Sequence, residues 1–204
     1  MEQRAPYQHT PTTAELVQVG GSRVSVLGDL KPLHGGAYVC GPAVTCACAP
    51  RDNLGLHAAL FQAPAGSVLV CDAGGDVSTG LFGELMGTEA LNRGIAGLVV
   101  SGAIRDLVAL EQMGFPVFGL GTAPAQSSKS HMISLGEPVA LSEIWVSPGD
   151  QIVADRDSVV VVAHASWPSV LAEAAKLAAA EAEILGRLRD GERLADLLSI
   201  DVAR

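Results

Sequence analysis

The sequence predicts an α/β protein in which helices pack around a central mixed sheet or barrel. Three observations predict it. The middle of the chain reads as strand–helix–strand–helix–strand, and the segments on either side are strand-rich. The 204 residues are 49% hydrophobic and 17% charged, too apolar for a disordered chain and long enough to bury a core. Alanine, valine and glycine are plentiful, which suits short buried strands and closely packed helices.

The elements follow in order. Residues 1–12 are polar with two prolines and read as a flexible N-terminal arm, with no apolar stretch of the secretory kind. Thr12 to Glu15 has capping-box spacing and starts a short helix. Ser22 to Leu27 alternates as a strand. Ala37 to Cys48 is a second strand with Gly41-Pro42 as a bend inside it. Asn53 is the expected N-cap of a helix over Leu54 to Gln62. Ser67 to Cys71 is a compact buried strand, and a glycine-rich loop covers Asp72 to Gly80. A helix from about Gly83 to Arg93 ends at Gly94. Leu98 to Val100 is a strand, Arg105 to Met113 a helix, and Val117 to Leu120 a strand. Thr122 to Glu137 has no clear period and reads as a long loop holding Ser127, Ser128 and Ser130; loops of that length are often functional. Glu143 to Val146, Gln151 to Ala154 and Ser158 to Val162 are strands, with Ser147 to Asp150 as a turn. Pro168 opens a helix that runs to about Arg189.

Charge and composition exclude several classes. The net charge of −9, with no run of Lys or Arg, argues against nucleic acid as a partner. No apolar run reaches the length of a membrane span. An acidic chain that binds an anion must do so locally, with a placed Arg or a helix N-terminus. Cys40, Cys46, Cys48 and Cys71 sit in apolar runs without CxxC spacing and read as reduced, buried thiols of a cytoplasmic protein. The glycines do not form GxGxxG, and GxSxG is absent, so neither a nicotinamide or flavin site nor a serine hydrolase is indicated. His57 reads as packed in an apolar helix. His131 and His164 lack metal-like spacing. Asp150, Asp155 and Asp157 read as turn formers.

Two strand-to-helix junctions could carry chemistry, and successive parallel strands would put both at one end of the sheet. The first, Asp72 to Met86, ends at a helix start near Gly83. Unpaired amides of Glu84, Leu85 and Met86 there would suit a carboxylate or phosphate. The same glycines also suit a plain tight turn. The second junction, Ser101 to Asp106, sets Arg105 beside Asp106. The two could be a surface ion pair at a helix start. They could equally divide a task, the guanidinium gripping a carboxylate or enolate oxygen and the carboxylate binding Mg²⁺.

The chain resembles the RraA-like proteins, which include the 4-hydroxy-4-methyl-2-oxoglutarate aldolases. The matching segments are Gly41 to Thr45, Asp52 to Leu60, Val68 to Asp76, Gly83 to Met86, Gly94 to Gly97, Gly102 to Asp106, Gly114 to Phe118, Pro148 to Asp150 and Val153 to Asp155. The resemblance implies one domain over residues 13–204 with a layered, swivelling-domain-like β/β/α fold. It implies a homotrimer or hexamer with its site between protomers. It further implies that Arg105 holds the pyruvyl group of a small keto-acid substrate and that Asp106 binds Mg²⁺ or Mn²⁺. Gly83, Leu85 and Met86 would bind substrate through the backbone, and Glu84 would be an active-site acid. The activity implied is a metal-dependent aldol cleavage or decarboxylation of a pyruvyl or oxaloacetate-like acid through an enolate. The sequence departs from the family pattern at Ala109, where aldolase members commonly carry an acid, and at Ser101 and Ser158. Those departures leave room for a diverged enzyme acting on another substrate without metal. The family also includes a non-catalytic regulator that binds a ribonuclease.

Overall fold

The computed structural model describes residues 9–201. Of the expected arm, residues 1–8 lie outside the described residues. Pro11 is buried, and its carbonyl accepts a hydrogen bond from the Tyr38 hydroxyl at 3.0 Å. Thr12 and Glu15 then form the expected capping box of α1 (Thr13–Gly20).

The strands that follow are β1 (Val24–Leu27), β2 (Lys31–Pro32) and the long β3 (Val39–Cys48). Next come α2 (Leu54–Gln62), β4 (Val68–Asp72), α3 (Glu84–Asn92), β5 (Gly97–Val100), β6 (Ala103–Ile104), α4 (Leu107–Gln112), β7 (Val117–Gly119) and β8 (Gly121–Thr122). The chain continues through β9 (Met132–Leu135), β10 (Val139–Leu141), β11 (Ile144–Val146), β12 (Gln151–Ala154), β13 (Val159–Val162), α5 (Trp167–Arg189) and α6 (Leu194–Leu197).

One mixed sheet runs β1-β13-β12-β3-β4-β5-β7-β2, with β9 also on β3. The strands β3, β4, β5 and β7 are parallel, and helical crossovers connect them, as parallel neighbours require. The outer strands pair antiparallel. β3 serves both halves. It pairs with β12 over Val39 to Pro42 and with β4 over Ala43 to Ala47. Gly41 and Pro42 therefore do not break the strand. They lie where it exchanges one partner for another, and the missing side chain at Gly41 leaves room for the Gly66 carbonyl.

The sheet curls, and each face buries its own core. One face packs Cys46, Leu69, Leu98 and Val100 under residues of α2, α3 and α4, including Leu60, Met86 and Leu110. The inner face packs Val68, Val70, Val99 and Ile152 around the β10–β11 hairpin through Val139, Leu141 and Val146. The helices α1 and α5 cover β12 and β13 through Leu16, Val153, Val160, Val170 and Ala174. This is the expected α/β architecture: a curled half-barrel sheet with flanking helices. Among the described residues no helix is long and apolar enough to cross a membrane.

Three local expectations need correction. Asn53 occupies the N-cap position of α2 but does not cap with its side chain. Asp52, one residue earlier, accepts the Leu54 amide at 2.9 Å instead, and Asn53 Nδ2 donates to the Leu81 carbonyl at 2.7 Å. The segment Thr122 to Glu137 is not one loop, because Met132–Leu135 is a strand on β3. Its half-exposed edge position removes the alternation that would mark a strand. The hairpin strand Val139–Leu141 was also not anticipated; it is three residues long and turns through Ser142 at φ +57°.

Candidate functional site

The parallel register of β4 and β5 sets both glycine-rich junctions at one end of the sheet. Ser101 ties them together. Its hydroxyl accepts from the Ala73 amide at 2.8 Å and donates to Asp72 Oδ1 at 2.9 Å. Gly80 forms bridges to Ala103 and Gln126, so the first junction runs beside the second. The Arg105 amide then donates to the Phe82 carbonyl at 2.8 Å. Phe82 is itself fixed in the core, stacked on Phe115 with ring centroids 5.4 Å apart.

Two glycines make the close approach possible. A Cβ on Gly80 would lie 2.6 Å from both Arg105 Cβ and the Ala123 carbonyl oxygen. A Cβ on Gly83 would lie 2.5 Å from Asp106 Oδ2 and 2.9 Å from Arg105 Cγ. Glycine at these positions is a space requirement of the Arg105-Asp106 pair.

Asp106 has an unusual part. Its backbone is left-handed, φ +55° and ψ +38°, a conformation that costs a non-glycine residue about 1 kcal/mol or more. It sits at the N-cap of α4 yet does not cap that helix. Its Oδ2 accepts the Glu84 amide of α3 at 3.2 Å and the Arg105 Nε at 3.3 Å. The carboxylate thus caps the neighbouring helix. The expectation of three open amides is corrected to two, those of Leu85 and Met86, which follow Glu84 in the first turn. The ion pair leaves the terminal guanidinium nitrogens of Arg105 without a hydrogen bond among the described residues, with its side chain 38% exposed.

Around this pair lie two depressions. One, of about 350 Å³, is lined by Asn53, His57, Gly80 to Met86, Arg105, Asp106, Gln126, Ser127 and Lys129. The other, of about 800 Å³, is lined by Glu84, Arg105 to Ala109, Gln112 and Thr122 to Pro124. Gly83, Glu84, Leu85, Met86, Arg105 and Asp106 are therefore brought together. Glu84 is exposed between both depressions, and the Met86 side chain is buried.

Lys129, His57 and Asn53 were not anticipated at the site. Asp52 puts Lys129 there. Its buried carboxylate accepts from Ser128 Oγ at 2.5 Å and from the Ser130 and His131 amides at 2.7 and 3.2 Å, strapping that segment onto the start of α2. Burial alone would raise the Asp52 pKa. The Ser128 hydroxyl and the amides of Leu54, Ser130 and His131 outweigh it and hold the carboxyl well below the usual carboxylate range. His57 Nε2 is buried without a partner among the described residues, and burial, then the Lys129 charge, push its pKa below the ordinary value. The serine-rich composition of the segment and the single Lys inside it were the available sequence signals. His131 and His164 do not line the site. Asp150 and Asp155 stabilise turns as expected, and Asp155 also accepts the Thr13 amide and hydroxyl.

A divalent cation can be weighed against this donor set. Asp106 offers one carboxylate, with Oδ1 bound only by a long contact to Arg105 Nε at 3.4 Å. Its side chain is 36% exposed, so water can complete a shell. That suits Mg²⁺, which keeps most of its waters and needs one or two carboxylates. Ala109, one turn on, supplies none. The only group of three or more metal-type side chains among the described residues is elsewhere, at Cys46, Cys48 and Cys71.

The family model described as RraA-like (Aldolase/RraA) matches residues 10–161. The chain belongs to the RraA-like family. Among RraA-like relatives, the protein named “Putative 4-hydroxy-4-methyl-2-oxoglutarate aldolase” of Halalkalibacterium halodurans is 36% identical over 83% of this chain and 80% of its own length. Protein DlpA of Legionella pneumophila is 30% identical over 81% of this chain, which spans only 28% of that protein. The crystal structure of Streptomyces coelicolor RraAS2, described as an unusual member of the RNase ES inhibitor RraA family, matches with a TM-score of 0.72. Its identity is 29%, covering 89% of this chain and 92% of that one.

Proposed function

We propose that this RraA-like protein is a carbon–carbon lyase that cleaves or decarboxylates a small pyruvyl or oxaloacetate-like keto acid. One observation carries the reading. Arg105, whose terminal nitrogens carry no hydrogen bond among the described residues, and Leu85 and Met86 of the first turn of α3 line one cavity large enough for such an acid. The name of the Halalkalibacterium relative supports the same chemistry.

The residues divide the work. Arg105 grips the substrate carboxylate and keto oxygen through its two terminal nitrogens. The Leu85 and Met86 amides, with the α3 dipole, hold the carboxylate from the other side. When the C3–C4 bond breaks, its electrons form an enolate whose oxygen Arg105 stabilises. A proton leaves the C4 hydroxyl for a carboxylate, and Glu84 stands at the cavity rim to take it. A proton then reaches C3 to give pyruvate. Oxaloacetate decarboxylation passes through the same enolate and needs no hydroxyl proton. A Mg²⁺ or Mn²⁺ ion held by Asp106 would add a second positive charge beside the keto oxygen.

The strongly exposed Leu85 and Val108 flank the site and suit coverage by a second protomer, as a homotrimer or hexamer with the site between subunits requires. The test is pyruvate release from 4-hydroxy-4-methyl-2-oxoglutarate and from oxaloacetate, with and without Mg²⁺ and a chelator. Release that needs the metal and disappears in Arg105→Ala is expected. Absence of release from both acids overturns the reading. Ala109 favours a second reading, an enzyme that uses Arg105 without metal; turnover unchanged by chelation would select it.

A further inference from the structure

Three cysteines that the candidate site does not use converge inside the fold. Cys46 and Cys48 are two residues apart on β3, and both pack with Cys71 in the core beneath α2. Cys71 on β4 is the register partner of Cys46. The three sulfurs lie within 4.8 Å of one another, and Cys71 Sγ is 3.6 Å from Cys48 Sγ. All three are free thiols, and none is more than 2% exposed. Gly55, in the first turn of α2, lies against the Cys48 sulfur. Gly55 permits this approach, since a Cβ there would stand 3.1 Å from that sulfur.

We propose that Cys46, Cys48 and Cys71 form a binding site for a soft monovalent d¹⁰ cation of the copper(I) class. The spacing fits. A trigonal ion with metal–sulfur bonds of ~2.3 Å needs sulfur–sulfur edges of about 4.0 Å. The Cys48 and Cys71 sulfurs are 3.6 Å apart and all three sulfurs lie within 4.8 Å, so side-chain shifts of under about 1 Å close the site. Sulfur ligands select soft cations over Mg²⁺ or Ca²⁺. Structural zinc almost always takes four protein ligands. Among the described residues no fourth His, Cys, Asp or Glu joins the group, and its burial leaves no room for exchanging water. A dry three-sulfur cluster suits a cation content with three ligands.

Charge is partly met by the fold. The cluster becomes anionic when sulfur–copper bonds replace S–H bonds and the protons pass to solvent. The first turn of α2, the positive end of that helix's dipole, lies against it at Gly55. No electron is transferred, because copper enters and stays as copper(I). The ion would pin the C-terminal ends of β3 and β4 together, just before the segments that lead to Asp52 and to the Asp72 loop.

The test is an anaerobic titration of the reduced full chain with copper(I) against a chromogenic copper(I) chelator. The expected result is one equivalent withdrawn from the chelator, a raised Tm, and X-ray absorption showing three sulfurs at ~2.3 Å. Cys40→Ser, which changes the half-buried cysteine outside the cluster, should bind as the unmodified chain does. Cys48→Ser and Cys71→Ala should lose at least 100-fold in affinity while circular dichroism shows an intact fold. If Cys71→Ala does not fold, Cys48→Ser at the cluster's edge gives the same reading. Failure of the reduced chain to withdraw copper, or equal withdrawal by Cys48→Ser, overturns the site. Tighter binding of zinc with a fourth ligand overturns the copper assignment.

Discussion

Gly83→Ala should disable the site while leaving the fold standing. The new methyl would lie 2.5 Å from Asp106 Oδ2 and 2.9 Å from Arg105 Cγ. Ordinary contact begins at 3.4 Å, so the Asp106 carboxylate must retreat by about 0.9 Å. Displacing a catalytic group by about 1 Å costs on the order of 100-fold in rate. The stability cost is smaller. Overpacking costs ~1–3 kcal/mol in a closed core, and Asp106 is 36% exposed and free to turn outward. Turning outward gives up the cap on the Glu84 amide, worth about 1 kcal/mol. The assay is pyruvate release coupled to lactate dehydrogenase, beside a thermal melt. Gly186→Ala is the control, because a Cβ there meets nothing within 4 Å and lies in α5. A Gly83→Ala rate within about threefold of the unmodified chain would refute the claim that this glycine exists to admit the Arg105-Asp106 pair.

Other outcomes follow from the same geometry. Arg105→Lys, which keeps the charge but loses the two-pronged grip, should lower kcat/KM by about 100-fold in the same coupled assay. Ala109→Glu should tighten Mg²⁺ binding by about 10-fold or more in calorimetry, by adding a carboxylate one helical turn from Asp106. Asp52→Asn should raise KM, because the segment carrying Lys129 loses its strap. The stability difference between the unmodified chain and Asp52→Asn should depend on pH in a set direction. The folded pKa of Asp52 lies below its unfolded value, so its contribution is present above about pH 4 and is lost as pH falls through the folded value. Urea melts at neutral and acidic pH check this; a gap that widens on acidification would contradict the assigned hydrogen bonds.

The parts of the fold that could be read in the sequence were those with local causes. The capping box at Thr12 and Glu15, the buried run Val68 to Cys71 and the Pro168 helix start each name their element within a few residues. β9 and β10 had no such mark. One is a half-exposed edge strand, and the other is three residues long and defined by its hairpin partner. The site divides along the same line. Gly83 to Met86 and Arg105-Asp106 follow parallel strands, so their meeting could be inferred from topology. Lys129 arrives through the Asp52–Ser128 bond between residues 76 apart, and sequence spacing does not encode a single buried carboxylate's partners. Asp106 shows the limit from the other side. Its position was legible, yet its carboxylate caps α3 rather than its own helix.

That double duty bears on how the Asp106 role should be tested. Asp106→Ala would remove four things together: a candidate cation ligand, the acceptor for the Glu84 amide, the ion-pair partner of Arg105, and a residue type that tolerates φ +55°. Its loss of activity would not say which one mattered. Asp106→Asn separates them. An Asn oxygen can still accept the Glu84 amide, and Asn adopts the left-handed region more readily than most residues. The charge, however, is gone. If Asp106 serves mainly as a structural cap, Asp106→Asn should keep both Tm and pyruvate release near the values of the unmodified chain. If its charge holds Mg²⁺, Tm should stay within a few degrees while the response of the rate to added Mg²⁺ disappears. The second outcome is expected here, because a cap needs only a neutral oxygen whereas this site offers an exposed carboxylate with one oxygen barely used. A fall in Tm matched by a fall in rate, with the Mg²⁺ response intact, would reject the ligand role and leave Arg105 and the α3 amides as the whole of the anion site.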